Sequence, residues 1–125
     1  ACCKDAGVAE SAIDVVWLPG AFELGGAASA LAATGGYSAI VGLGCVVRGE
    51  TAHFDFVAGE AARGLSEVAV RHGLPVAFGV LTTETMEQAL ARAGGAAGNK
   101  GYEATEAALK TADALAQLRK THAPS

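Results

Sequence analysis

The sequence predicts an α/β fold in which a parallel sheet carries helices on both faces. Two observations support this prediction. Short apolar segments with strand composition alternate along the chain with longer segments of helical periodicity, and this order requires right-handed crossovers between parallel strands. The strand segments are also almost wholly apolar, which is typical of strands covered on both faces. The length of 125 residues suits one domain, 1–125, without a linker or an internal repeat.

The elements of the first half follow from apolar runs and from the glycines that end them. Residues 1–8 end in a Gly-Val pair with no strand before them, so we expect the chain to begin within a helix that a glycine caps. Residues 13–18 are a β-rich run closed by a Pro-Gly pair, which predicts a buried parallel strand. Residues 21–34 predict an Ala- and Leu-rich helix that stops at two glycines. Residues 38–47 predict a second strand.

The second half predicts three helices and one strand. Residues 52–72 carry apolar positions at helical spacing and predict a long helix. Residues 75–81 predict the third strand. A short helix follows at 82–93, with Thr83-Glu84 supplying the capping groups. Residues 102–120 predict the last helix.

Composition excludes several classes of protein. The formal net charge is −4 and the basic residues are scattered, which is unlike a nucleic-acid-binding surface. The apolar runs are too short to span a membrane, and no signal segment opens the chain. Cys2, Cys3 and Cys45 form an odd set without metal-ligand spacing. Free cysteines are typical of a reducing compartment, so we expect a cytoplasmic protein that uses no metal.

Ligands of parallel α/β proteins bind at the carboxyl ends of the strands. The sequence therefore predicts a ligand site formed by three loops. The loops are 19–23, 48–53 and 81–84. In the first loop, Glu23 lies in an opening helical turn, where an acidic side chain often only complements the helix dipole. The alternative is that Glu23 accepts hydrogen bonds from a polyol ligand while Phe22 provides an apolar wall.

The second loop holds the strongest functional signal. A glycine-containing turn with Thr51 leads into a helix N-terminus, and such a turn binds phosphate through free N–H groups. His53 lies in the first helical turn and can both accept and donate a proton near neutral pH. A structural interpretation stays open, in which His53 caps the helix and Arg48 pairs with Asp55 or Glu50.

The third loop and two further residues favour structural interpretations when they are taken alone. Residues 81–84 read as a strand that enters a capped helix. Arg92 reads as a solvated helix residue. Cys45 lies in an apolar strand, which favours an inert buried thiol over a nucleophile.

Five blocks of the sequence nevertheless resemble one family in order and spacing over essentially the whole chain. The blocks are PGAFE at 19–23, GLGCVVRGETAHFD at 42–55, FGVLTT at 78–83, EQALARAG at 87–94 and GNKG at 98–101. They are similar to the 6,7-dimethyl-8-ribityllumazine synthase family. The resemblance implies a three-layer flavodoxin-like fold and a condensation of 5-amino-6-(D-ribitylamino)uracil with 3,4-dihydroxy-2-butanone 4-phosphate. It implies no metal or redox cofactor.

The resemblance also implies roles for individual residues. His53 matches the proton-transferring histidine, and Glu50 and Thr51 match the phosphate-binding turn. Arg92 matches a ligand of the butanone phosphate, and Phe78 matches a second residue contributed by a neighbouring subunit. The remaining matched positions bind or line the substrate pocket: Ala21, Phe22 and Glu23 for the ribitylaminouracil, Cys45, Val46 and Val47 for the pyrimidine, and Lys100 close to the phosphate.

The resemblance raises expectations about the complete protein and its assembly. Family members have a first strand in the middle of the sheet and an aromatic residue after it, so we expect the chain to be N-terminally incomplete. The family forms pentameric rings. The short elbow at 92–101 favours further assembly into a sixty-subunit shell. Two alternatives are a non-catalytic shell or ligand-binding protein on the same fold and an archaeal-type riboflavin synthase.

Overall fold

The computed structural model of the chain describes residues 2–48 and 53–121. Its helices and strands, in chain order, are α1 (Cys2–Asp5), α2 (Leu24–Ala33), β1 (Ile40–Val47), α3 (His53–His72), β2 (Val76–Thr83), α4 (Met86–Arg92), β3 (Ala93–Gly95), β4 (Gly98–Asn99) and α5 (Lys100–Thr121). Single 3-10 turns occur at Glu10–Ala12 and Ala21–Glu23. None of the described helices combines the length and the apolar character needed to cross a membrane.

Two parallel strands form the centre of the structure, with helices on both faces. β1 pairs with β2 from Ile40 opposite Val76 to Val47 opposite Thr83, and α3 is the crossover between them. On one face, a methyl group added at Gly42 would lie 2.7 Å from Cδ1 of Leu65 in α3. The predicted three-layer α/β arrangement is therefore confirmed, because α5 packs against the opposite face.

Small residues allow the layers to approach closely. The buried cluster between the sheet and its first layer of helices contains Ala28, Ile40, Leu65 and Val68. α2 and α3 meet backbone to backbone, since a methyl group added at Gly25 would lie 3.0 Å from the Cα of Gly64. Gly25 and Gly64 thus allow close packing of these two helices.

The prediction of a buried strand at 13–18 is wrong. The segment begins with Ile13 in an extended conformation but makes no ladder hydrogen bond with the described strands, and Trp17 is 91% exposed. It is held at its start by the Tyr37 hydroxyl, which donates a 2.6 Å hydrogen bond to the Asp14 carboxylate. The physical reason is that a strand needs a neighbouring strand. A β-rich composition favours an extended backbone, but the hydrogen bonds of a sheet form only between two paired strands.

The helix ends confirm one capping prediction and correct another. At the predicted glycine cap after α1, Gly7 adopts φ 83° and the Val8 N–H donates to the Cys3 carbonyl at 2.9 Å. This pattern is a Schellman motif. At the start of α4, however, the N-cap is Thr85 instead of Thr83-Glu84, and its hydroxyl accepts a 3.1 Å hydrogen bond from the Gln88 N–H. Strand β2 continues through Thr83 and postpones the helix.

Candidate active site

The first predicted loop packs against the carboxyl half of β1. Its 3-10 turn, Ala21–Glu23, follows Gly20, and α2 begins directly afterwards. A methyl group added at Gly44 would lie 3.7 Å from Cβ of Ala21 and 3.8 Å from Cδ1 of Leu24. The loop therefore lies at the sheet edge where the topology predicts a ligand site.

Phe22 joins this loop to the first turn of α3. Its ring stacks on that of Phe56, with centroids 6.0 Å apart and an angle of 17° between the ring planes. Phe22 is 51% exposed and Phe56 is 61% exposed, so both rings keep accessible apolar surface. The pair presents exposed apolar surface at the loop for which an apolar wall at Phe22 is predicted.

Glu23 lies beside this wall. A methyl group added at Gly20 would lie 3.2 Å from its Oε2 atom, so the carboxylate turns back over the first loop. Phe22 and Glu23 together stand at the end of an open groove of about 570 Å³ between α2 and α3. Farther along the groove, Arg63 donates to Glu60 at 2.8 Å, and this hydrogen bond lowers the pKa of the Glu60 carboxyl.

The end of β1 presents its three predicted pocket residues on two faces. Side chains alternate along a strand, so Val46 shares the face of Gly44 and the first loop, whereas Cys45 and Val47 point to the opposite face. Cys45 is exposed, and the prediction of a buried thiol is wrong. The cause is the position of α5, whose Gly101 lies level with Leu43 and whose Arg119 donates to the Gly73 carbonyl at 2.7 Å. α5 therefore runs away from the carboxyl end and leaves Cys45 uncovered.

Arg48 connects the second loop to the third. Its backbone N–H donates to the Thr83 carbonyl at 2.8 Å. Its guanidinium lies 3.8 Å from the carboxylate of Asp55 and 3.7 Å from that of Glu84. The predicted pairing with Asp55 is confirmed, while Glu50 lies outside the described residues. These ion pairs are exposed and individually weak, so their effect is to fix geometry more than to add stability.

His53 is the first described residue of α3 and is exposed at the same edge of the sheet. The predicted phosphate turn, including Glu50 and Thr51, lies outside the described residues. His53 thus borders the predicted turn on one side and lies one helical turn from Phe56 on the other.

The remaining three predicted residues lie on separate elements. Phe78 is in β2 opposite Gly42 and is 36% exposed. Arg92 ends α4 and is exposed, as a solvated helix residue would be, and its Nη1 donates to the Gln88 carbonyl at 3.0 Å. Lys100 begins α5 and is exposed. Since α5 starts level with Leu43, Lys100 lies toward the carboxyl end of the sheet.

Sequence reasoning missed Phe56. The signal was present, because Phe56 follows His53 by three positions and would share its face of a helix. Only the ring contact with Phe22, however, brings Phe56 to the first loop. Among the described residues, no group of three or more His, Cys, Asp or Glu side chains could hold a metal ion.

Comparison with known proteins identifies a single family. The family model described as 6,7-dimethyl-8-ribityllumazine synthase matches residues 1–116. Curated relatives with this name include those of Sodalis glossinidius, 58% identical, Edwardsiella ictaluri, 55% identical, and Yersinia pestis, 54% identical. Each match extends over 112 residues, which is 90% of this chain and 72% of the relative.

Proposed function

The chain belongs to the 6,7-dimethyl-8-ribityllumazine synthase family, and we propose that it makes this lumazine for riboflavin biosynthesis. The substrates are 5-amino-6-(D-ribitylamino)uracil and 3,4-dihydroxy-2-butanone 4-phosphate, and phosphate and water are released. The observation that carries the proposal is the family match over residues 1–116. The contacts among the first loop, the end of β1 and the first turns of α3 at one sheet edge support a site there.

The reaction needs proton transfers and a held phosphate. An amine of the pyrimidine attacks the ketone carbon, and a first water leaves to form a Schiff base. Loss of a proton and of phosphate then gives an enol, which tautomerises to a new ketone. The second amine attacks that ketone carbon, and a second water leaves as the ring closes. We assign the proton transfers to His53, which lies exposed at the site edge. Much of the acceleration is expected from holding two substrates in register.

The binding roles follow the two substrates. We assign the ribityl chain to Glu23 with Ala21 and Phe22, and the pyrimidine to the end of β1 at Cys45, Val46 and Val47. A second group of residues is assigned to the butanone phosphate and its surroundings: Glu50, Thr51, Phe78, Arg92 and Lys100. Arg92 fits the phosphate best because a guanidinium forms strong charge-assisted bonds to phosphate oxygens.

We also propose that the site is completed in a homo-oligomer. Arg92 turns toward its own helix in the single chain, and the surrounding β2 and α4 surface exposes Phe78, Met86 and Leu90. Apolar surface of this kind is typical of an interface. The proposed assembly is a pentameric ring, and twelve such rings close into a sixty-subunit shell. The three free cysteines suit the cytoplasm as its location.

The test is lumazine formation from the two purified substrates, followed by absorbance and compared with the uncatalysed rate. We expect a rate that rises in proportion to protein concentration. A second incubation with the lumazine alone separates the riboflavin synthase alternative, because that enzyme would release riboflavin. Product at the uncatalysed rate in the first incubation, together with no riboflavin in the second, would leave only the non-catalytic alternative.

A further inference from the structure

The contact between Phe22 and Phe56 indicates a role for Phe56, to which no role has been assigned above. Two aromatic rings that are each more than half exposed remain stacked at 6.0 Å. Exposed aromatic surface at the mouth of a site offers a flat apolar face to a planar ligand. Phe56 contributes as much of that face as Phe22, although only Phe22 belongs to the first loop.

The ridge of α3 that contains Phe56 faces α2. Positions three or four apart share one face of a helix, so His53, Phe56, Glu60 and Gly64 form a continuous ridge. Gly64 contacts Gly25 of α2, and Phe56 contacts Phe22 just before α2. Two contacts therefore fix this ridge, one at Gly64 and one at Phe56. His53 lies one helical turn N-terminal to Phe56.

The contact between Gly25 and Gly64 sets the spacing of α2 and α3, and Phe56 belongs to α3. Because Gly25 and Gly64 meet backbone to backbone, α2 and α3 cannot approach more closely at that point. Phe56 thus contacts Phe22 of the predicted binding wall and lies one helical turn from His53, the predicted proton-transferring residue.

We propose that Phe56 is a further substrate-binding residue, which extends the Phe22 wall toward His53 and positions the ribitylaminouracil beside the imidazole. This inference rests on the proposed function. The ligand class is a planar, polar-edged pyrimidine, whose ring face packs on the phenyl ring while its polar edges remain free for other contacts.

The experiment compares Phe56→Ala, Phe56→Leu and Phe56→Tyr in the full chain, with Val70→Ala as the control. Val70 is in the same helix and is 83% exposed, but it lies about 4.7 turns from His53 and outside the ridge. Phe56→Ala should raise the KM for the ribitylaminouracil about two- to tenfold, as expected for the loss of one aromatic contact. The KM for the butanone phosphate should change less than twofold. Phe56→Tyr should keep the wild-type value, and Val70→Ala should match wild type.

Phe56→Leu keeps apolar volume but removes the ring. It therefore tests the role of the ring even if Phe56→Ala does not fold. A raised KM for the ribitylaminouracil in the Leu variant, at wild-type particle mass by light scattering, supports the proposal. Equal changes in both KM values, no change in either, or loss of assembly in all three variants overturns it. Inactive wild-type protein would instead contradict the proposed function, so the two failures are distinguishable.

Discussion

His53 and His72 stand at opposite ends of α3, and the difference between them is one of position. Both side chains are exposed, but only His53 lies at the carboxyl edge of the sheet, beside the predicted phosphate turn. Replacing His53 with Ala should lower kcat about 100- to 10,000-fold, which is the usual contribution of general acid–base catalysis. Single-turnover and steady-state lumazine formation measure this effect.

The matched control for this prediction is His72→Ala, which removes an imidazole from the same helix far from the site. It should retain the wild-type kcat. The binding of substrate should persist in both variants, because the proton-transfer role does not require His53 for affinity. A His53→Ala enzyme that turns over as fast as His72→Ala would remove His53 from the mechanism.

A substitution of Arg92 tests whether this residue binds the butanone phosphate. Arg92→Ala should raise the KM for the butanone phosphate about ten- to hundredfold, since a charge-assisted hydrogen bond contributes about 1.5–3 kcal/mol. The KM for the ribitylaminouracil should change little. Arg71→Ala is the control, because Arg71 is an exposed arginine near the end of another helix, 3.9 Å from Glu67. If Arg92→Ala affects both substrates equally, its role is not in phosphate binding.

At the scale of elements, the contact between α2 and α3 sets the geometry of the site. The Cβ atom of Ala at position 25 would lie 3.0 Å from the Cα of Gly64, and backbone cannot move aside as a side chain can. We expect Gly25→Ala to lower the free energy of unfolding, because overpacking costs about 1–3 kcal/mol. The gain in helix propensity offsets only about 0.5–1 kcal/mol of that cost.

The neighbouring Gly26 provides the control for Gly25→Ala. A methyl group at Gly26 meets nothing within 4 Å, so Gly26→Ala should stabilise the protein through helix propensity alone. Denaturant unfolding of the two variants measures the difference. Opposite signs at adjacent glycines would identify the helix contact as the cause, whereas stabilisation by both would show that α2 and α3 have room to separate.

At the scale of the whole molecule, the open question is whether one chain contains a complete site. His53 and Arg92 lie on different elements, and Arg92 is engaged with the Gln88 carbonyl of its own helix. If Arg92 acts on a neighbouring subunit, a mixture of His53→Ala and Arg92→Ala subunits should regain activity. Random reassembly of equal amounts restores about a quarter of the sites, because each of two adjacent subunits must be of the required type.

The measurement is activity after joint unfolding and reassembly of the two variants, with each variant reassembled alone as the control. Light scattering on the same samples gives the particle mass and separates a monomer, a ring and a shell. Confirmed reassembly without recovered activity would place both residues in one subunit. A monomer with full activity would contradict the proposed oligomeric site.

The sequence by itself determined the local structure and the family. Helical periodicity predicted α3 and α5, apolar runs predicted β1 and β2, and the Gly-Val pair predicted the cap after α1. These features depend on neighbours in the chain, which the sequence displays directly. The motif blocks identified the family because their residue types and spacing are read without knowledge of contacts.

Tertiary structure alone decided what depends on partners distant in sequence. Residues 13–18 have strand composition, yet they remain unpaired in the described structure because no ladder neighbour is hydrogen-bonded to them. Cys45 is exposed because α5 begins level with Leu43 and runs away from it, a matter of helix direction. Phe56 meets Phe22 where the turn before α2 packs against α3, a contact between segments more than thirty residues apart in sequence. Strand pairing, burial of a side chain and contact between helices each depend on two segments of the chain. Only the folded structure shows which segments are close in space, because their positions in the sequence do not give that distance.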